Sequence, residues 1–227
     1  MRVVKGHTER KIELLNKAED IFFHKGYEAT SVANIIDAVG IAKGTFYYYF
    51  RSKEELLDQI VERQSERIDE MIDPIVSDTQ MKALDKFNSL FSSIGHYKAE
   101  NRSVFIVLTR VLYSDGNILL LHKMTRSRIK IVAPKLAKII SQGFYEGSFN
   151  MCSANHTAEM ILHMVTFLGD EFASILRNGE LNSESKDSYM EQCRTYDIAV
   201  AKILGAPDGS ITMFEREAIE KFFKEVP

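Results

Sequence analysis

Apolar residues recur at three- and four-residue steps along almost the whole 227-residue chain, and no good stretch alternates apolar with polar as a half-buried strand does. That period stacks side chains on one face of a helix, so the expected fold is all-α. In TERKIELLNKAEDIFFHKG (8–26), Ile12, Leu15, Ala18, Ile21 and Phe22 share a face, with Thr8 expected to cap the start and Gly26 to end it. TSVANIIDAVG (30–40) predicts a short helix capped by Ser31 and stopped at Gly40. A turn at Gly40-Ile41 leads into a second short helix, AKGTFYYYF, and SKEELLDQIVERQSERIDEMI forms a longer one over 52–72. This last opens on a capping box, Ser52 and Glu55, and is expected to close at Asp73-Pro74, because the residue before proline avoids helical geometry. Further helices are expected at 79–99, 101–113, 117–146, 155–178 and 184–204, then near 212–224.

Two units follow: a helical head over 1–53 and a helical body over 54–227, joined by the helix at 52–72. Charge divides along the same line. Residues 1–53 hold nine Lys and Arg against six Asp and Glu, whereas the remainder holds 20 against 26. A cationic head on an anionic body is the asymmetry expected if only the head meets a polyanion. No run of 18 apolar residues exists, and the N-terminus lacks the apolar centre of a secretion signal, so a cytoplasmic protein without membrane contact is expected. Cys152 and Cys193 stand far apart, outside any metal-like spacing, as free thiols in a reducing compartment do.

Two short helices joined by a tight glycine-containing turn make a helix-turn-helix, whose second helix enters the DNA major groove N-terminal end first. Here that end offers Lys43 for guanine acceptors or phosphate, Gly44 for close backbone approach, and Thr45 for a phosphate or a thymine methyl. Phe46 and Phe50, four apart, are expected to lock the helix into the head core. Tyr47, Tyr48 and Tyr49 then fan around the remaining circumference, and Lys53 follows at the next helix start, where backbone N–H groups also favour an anion. The result is an aromatic and cationic clamp on a sugar-phosphate backbone. Tyr49 is equally suited to bracing the fourth helix.

The stretch FFHKGYEATSVANIIDAVGIAKGTFYYYFRSKEELL resembles the DNA-binding head of the TetR/AcrR-type transcriptional regulators. The resemblance implies that Lys43, Thr45, Tyr47 and Tyr48 face DNA and that Lys53 touches phosphate. Thr30, Ser31, Gly44 and Tyr49 complete the expected DNA-binding set. Ala42 departs from the family's usual Ser or Thr cap, and Ala33-Asn34 supplies no basic base-reader. The resemblance further implies a homodimer built on the last two long helices of the body, a double-stranded DNA operator, and a small-molecule effector in the body. The residues expected to line its pocket are Phe87, Phe91, Phe105, Leu108, Tyr113, Met124, Met164 and Phe167, although aromatic and methionine stripes at this spacing also serve as plain core.

His156 and His163 share a helical face without a third ligand at suitable spacing, and nothing beside Cys152 marks it as reactive. No glycine-rich phosphate loop, metal constellation or nucleophile–base pair is present, so neither an enzyme nor a bound cofactor or metal is expected. The reading that remains is a ligand-responsive regulator, most simply a repressor. An all-helical enzyme and a scaffolding dimer whose head has lost DNA are the rivals.

Overall fold

The computed structural model describes residues 7–150 and 152–223, and among them none lies in a strand. The elements are α1 (His7–Lys25), α2 (Val32–Val39), α3 (Lys43–Tyr49), α4 (Lys53–Ser77), α5 (Ala83–Glu100), α6 (Arg102–Leu112), a 3-10 turn (Asp115–Asn117), α7 (Ile118–Tyr145), α8 (Ala154–Asn178), α9 (Ser183–Leu204) and α10 (Arg216–Phe223).

Several boundaries differ from expectation for local reasons. Thr8 lies inside α1 rather than capping it. Glu55 N–H donates to Ser52 Oγ at 3.1 Å, as a capping box requires, but the Glu55 carboxylate accepts from Arg51 N–H at 2.7 Å instead of Ser52 N–H. The largest correction is at Pro74, where α4 continues to Ser77. A proline removes one backbone donor. Burial of Ile72 and packing of Val76 against the body core hold the chain helical past it, and Lys86 Nζ donates to the Val76 carbonyl at 2.9 Å.

The chain divides into two compact units, and the first is larger than a 1–53 head. It comprises residues 1–67 together with 111–127. Its core joins Leu14, Ala18 and Phe22 of α1, Ile35 of α2, Phe46 of α3, and Leu56, Leu57 and Ile60 of α4. Burying these three α4 residues and Val61 here explains why the start of that helix belongs to the head. Leu120 enters the same core from the distant segment. Arg63 ties α4 to α1, donating to Asn16 Oδ1 at 2.7 Å and pairing with Glu19.

The second unit comprises 68–110 and 128–227. Its core is built from α5 (Phe87, Leu90, Phe91), α7 (Val132, Leu136, Ile140), α8 (Ala158, Ile161) and α9 (Val200, Leu204). α10 packs on α5 and α9, and there Phe223 and Ile219 form a smaller cluster with Leu168 and Cys193. The Glu146 carboxylate accepts from Ala83 N–H at 3.0 Å and so caps α5, whose own N-cap, Lys82, has no side-chain cap. That bond, with a second from Gln142, holds the Glu146 carboxyl below its usual range.

Candidate nucleic-acid interface

The α2–turn–α3 segment is fixed at each joint. Ser31 adopts extended backbone, accepts from Asn34 N–H at 3.2 Å, and donates its own N–H to Asn34 Oδ1 at 3.0 Å. Lys25 Nζ joins the same Oδ1 at 2.8 Å. Gly40 ends α2 in the left-handed region (φ 69°), and the N–H groups of Gly40 and Ile41 both reach the Ile36 carbonyl. Ala42 occupies the N-cap of α3 with no side-chain hydrogen bond, the missing cap expected from the sequence.

From that joint α3 runs with one face inward. Phe46 and Phe50 are fully buried, their ring centroids 5.9 Å apart. The opposite face is open: Tyr47 is 47% exposed, Tyr48 71%, and Lys43 and Gly44 are exposed as well. A Cβ added at Gly44 would meet nothing within 4 Å. Glycine in a helix costs roughly 1 kcal/mol relative to alanine, and no internal contact demands it here. A reason outside the chain, a surface that approaches the backbone, fits that position. Thr45 is half-buried, and Tyr49 is half-buried against the head core while its ring stands edge-on to Tyr48.

Of the expected DNA contacts, Thr30 is turned inward and Lys53 is half-buried. Thr30 is 1% exposed, and its hydroxyl donates to the Gly26 carbonyl at 2.7 Å. Lys53 Nζ donates to the Tyr27 carbonyl at 2.9 Å and lies 4.0 Å from the Tyr27 ring centroid. An ammonium has three donors, so this bond leaves Lys53 two for other partners while fixing its place. Ser31 remains exposed beside Lys25 and Asn34.

A further set of head residues was not legible in the sequence. Asn117, fully buried, accepts from Tyr27 N–H at 2.8 Å and donates to the Val111 carbonyl at 3.0 Å. Glu28 N–H donates to the Gly116 carbonyl, and a Cβ at Gly26 (φ +91°) would lie 3.5 Å from Gly116. Lys123 pairs with Asp58 at 2.5 Å and Glu54 at 3.3 Å, and the hydrogen bond to Asp58 leads in raising its pKa. Residues 111–127 thus close over the loop that carries Tyr27, whose hydroxyl pKa is raised by burial and then by Glu54.

The residues expected to line an effector pocket fall in both compact units. Phe87 and Phe91 are buried in the second unit's core with Phe149, Phe87 lying 5.1 Å from Phe91 and 6.0 Å from Phe149. Met164 packs at the edge of that core, and Phe167 is 54% exposed. Met124 packs in the first unit, to which Tyr113 also belongs. Phe105 is half-buried, edge-on to Tyr97 at 5.9 Å. The side chain of Leu108 lies outside the described residues. The helical stripes serve mainly as core. A groove of about 420 Å³ does open along α9, lined by Arg194, Asp197 and Lys202 among others, and contains none of these residues. Burial there pushes the Asp197 carboxyl up to about 6, against the Met213 N–H that donates to it.

His156 and His163 are both exposed, and His156 Nδ1 faces Ser153 Oγ at 3.3 Å. Among the described residues no three His, Cys, Asp or Glu side chains cluster as a metal would need. Cys152 is exposed and Cys193 buried, and both are free. Among the described residues no helix is long and apolar enough to cross a membrane.

Two family models match the chain and together span more than half of it: bacterial regulatory proteins of the tetR family over residues 14–60, and the tetracyclin repressor-like C-terminal domain over 99–180. The transcriptional repressor KstR2 of Rhodococcus jostii is 43% identical over 56 residues, 25% of this chain and 28% of that protein. KstR2 of Mycolicibacterium smegmatis is 28% identical over 143 residues, 63% of this chain and 68% of its own. The first of these matches thus spans little more than a quarter of its relative's length. Among solved structures, a TetR-family regulator from Mesorhizobium loti superposes with a TM-score of 0.61 at 16% identity, covering 88% of this chain and 98% of the other. FadR from Bacillus subtilis, solved in complex with stearoyl-CoA, superposes with 0.57 at 20% identity, covering 79% and 95%. At these identities the likeness is one of fold.

Proposed function

The chain belongs to the TetR family of bacterial regulatory proteins, a family of DNA-binding regulators rather than enzymes, and from that premise we propose that it is a ligand-responsive repressor acting in the cytoplasm. Two copies bind a palindromic operator, each placing α3 in a major groove. The observation that carries this is the outward face of α3, where Lys43, Gly44, Tyr47 and Tyr48 are exposed on a helix anchored by Phe46 and Phe50. Lys43 is the candidate base-reader, the tyrosine hydroxyls are donors to phosphate, and Lys53 braces the loop at Tyr27 with spare donors for the backbone.

Dimerisation through α8 and α9 is supported by large apolar side chains left in solvent on those helices, Met160, Phe167 and Ile198. Release by a small molecule in the body is supported by chain continuity. α4 begins in the first unit and ends in the second, and residues 111–127 are carried on α6 and α7. A shift of these helices on ligand binding moves Asn117, and with it the Tyr27 backbone. DNA affinity then falls because ligand and DNA favour different states. FadR, bound to stearoyl-CoA in its crystal structure, provides a precedent within this fold.

The test is a gel shift with DNA from upstream of the protein's own gene, titrated with salt. Wild-type binding is expected to weaken steeply as salt rises. Tyr47→Phe is expected to weaken specific and random DNA alike, and Lys43→Ala to reduce the preference between them. Equal losses at both DNAs for Lys43→Ala would remove it from base reading.

A further inference from the structure

α10 is eight residues long, too short to hold itself helical in water. It is helical because it is docked. Ile219 and Phe223 are buried in a cluster with Leu168 of α8 and Cys193 of α9, against which Phe222 also packs. Ring meets ring there: Phe172 of α8 lies 5.4 Å from Phe222 and 5.9 Å from Phe223, and Tyr189 of α9 lies 6.0 Å from Phe223. The walls do not need α10 to stay together. Phe172 meets Tyr189 directly at 5.5 Å, and further along their length α8 and α9 join through Ala158, Ile161, Val200 and Leu204 in the second unit's core. Phe167 and Ile198, assigned above to dimerisation, stay exposed and outside this cluster. Polar ties hold the ends of α10. Glu215 pairs with His96 at 2.7 Å, with both side chains partly in solvent, and the Phe222 carbonyl accepts from Arg102 Nε at 2.9 Å. An ion pair so exposed holds weakly.

We propose that α10 is an internal occupant of an apolar cleft between α8 and α9, and that an apolar aromatic effector binds in that cleft by displacing it. This names the effector site of the ligand-responsive reading above and rests on it. Phe222 and Phe223 show the chemistry that the walls accept, edge-on and tilted contacts with Phe172 and Tyr189 that a ligand ring makes equally well. Displacement also frees Arg102 at the start of α6, and α6 leads into the residues 111–127 that support Tyr27. Beneath α10 the Cys193 thiol has its pKa pushed up to about 12, by burial and then by Asp197. It stays inert to alkylation until α10 lifts.

The experiment uses the full chain carrying Cys152→Ser, which leaves Cys193 as its single thiol. To this parent is added either Glu215→Gln, which cuts the tie to His96, or Phe222→Ala, which trims α10 without altering the walls. The measurements are Cys193 alkylation by iodoacetamide, hydrogen exchange across 216–223, and fluorescence titration with N-phenyl-1-naphthylamine, a neutral apolar aromatic probe. Each variant is expected to raise alkylation and probe affinity by the same factor, because apparent affinity scales with the open fraction. That factor is roughly threefold for Glu215→Gln and about tenfold or more for Phe222→Ala. Bound probe is expected to speed exchange across 216–223 while shielding Cys193. Probe that fails to bind, that binds all three proteins equally, or that leaves exchange across 216–223 unchanged overturns the proposal. If Phe222→Ala unfolds, the parent and Glu215→Gln decide. A gel shift on the same preparations separates the two readings. Linked opening and probe binding without DNA binding refute the regulator reading and leave the cleft standing. DNA binding without that linkage keeps the regulator and removes the cleft.

Discussion

Lys43 in the head and Lys98 in the body are both ammonium groups near aromatic rings, and their surroundings could hardly differ more. Lys43 opens a short helix whose outward face stays hydrated, with Tyr47 and Tyr48 beside it in solvent. Lys98 is half-buried in the last turn of α5, 5.9 Å from the Phe105 ring centroid, and the charge of Arg128 acts on it. A displayed cation keeps its solvation until it displaces the counterions condensed on a polyanion, which yields strong salt dependence. A partly buried cation gives up some of its water on folding, which lowers its pKa. The same residue type thus stays open to a polyanion in one region and carries a folding cost in the other.

The comparison depends first on α3 being held rigidly enough to display its outer face. Phe46→Ala removes a fully buried ring from the head core, and the expected cost is about 3–5 kcal/mol. Chemical denaturation with hydrogen exchange across residues 30–60 checks this. A loss well below that range would mean that α3 is held by something other than its core contacts.

Next is the support beneath Tyr27. Asn117→Ala leaves the buried Tyr27 N–H without its acceptor and removes the bond to the Val111 carbonyl. The expected loss is about 2–3 kcal/mol, confined by hydrogen exchange to the first unit. If exchange at 26–28 were unchanged, residues 111–127 would not brace that loop.

On the body side, Lys98→Met is expected to stabilise the protein at pH 7 by on the order of 2 kcal/mol. The sign follows from the direction of the shift. Folding lowers the Lys98 pKa from 10.5 to about 8, so the unfolded chain holds the proton more tightly, and folding is penalised in full below about pH 8. The penalty fades as pH rises from about 8 towards 10.5. Wild type is therefore expected to gain stability over that window relative to Lys98→Met in denaturant titrations. An unchanged difference between pH 7 and pH 10 would mean that Lys98 is solvated, and the contrast with Lys43 would vanish.

These cases also separate what a linear chain reveals from what it hides. Phe46 and Phe50 were legible as anchors, and Ser31 and Gly40 as helix limits, because four-residue spacing, a capping side chain and left-handed backbone are all local. Asn117 was not, since its partner Tyr27 lies 90 residues away and a lone asparagine near a glycine looks like any turn. Thr30 and Lys53 belong to the DNA-binding set expected from the sequence, but their own bonds in the fold are not visible there. Thr30 back-bonds to the Gly26 carbonyl, and Lys53 gives one of its donors to the Tyr27 carbonyl. The effector pocket is hidden for the opposite reason. Aromatic spacing was visible, but spacing cannot tell a cavity wall from packed core. Pro74 looked like a stop because a local rule ignores the burial of Ile72 and the packing of Val76 on either side of it.

The smallest expected effect tests how far the display face of α3 has been tuned for something other than stability. Ala42 sits at the N-cap in extended backbone with no side-chain bond, and its side chain is exposed. Ala42→Ser supplies an oxygen for an α3 N–H, and the expected gain is about 1 kcal/mol in head stability, read as a higher denaturation midpoint. The same hydroxyl would stand one residue from Lys43, at the edge of the surface assigned to DNA. A gain in stability with unchanged operator affinity would make Ala42 a neutral omission. The same gain with weaker affinity would mean that the empty cap leaves room for the DNA backbone, the role proposed for the space at Gly44.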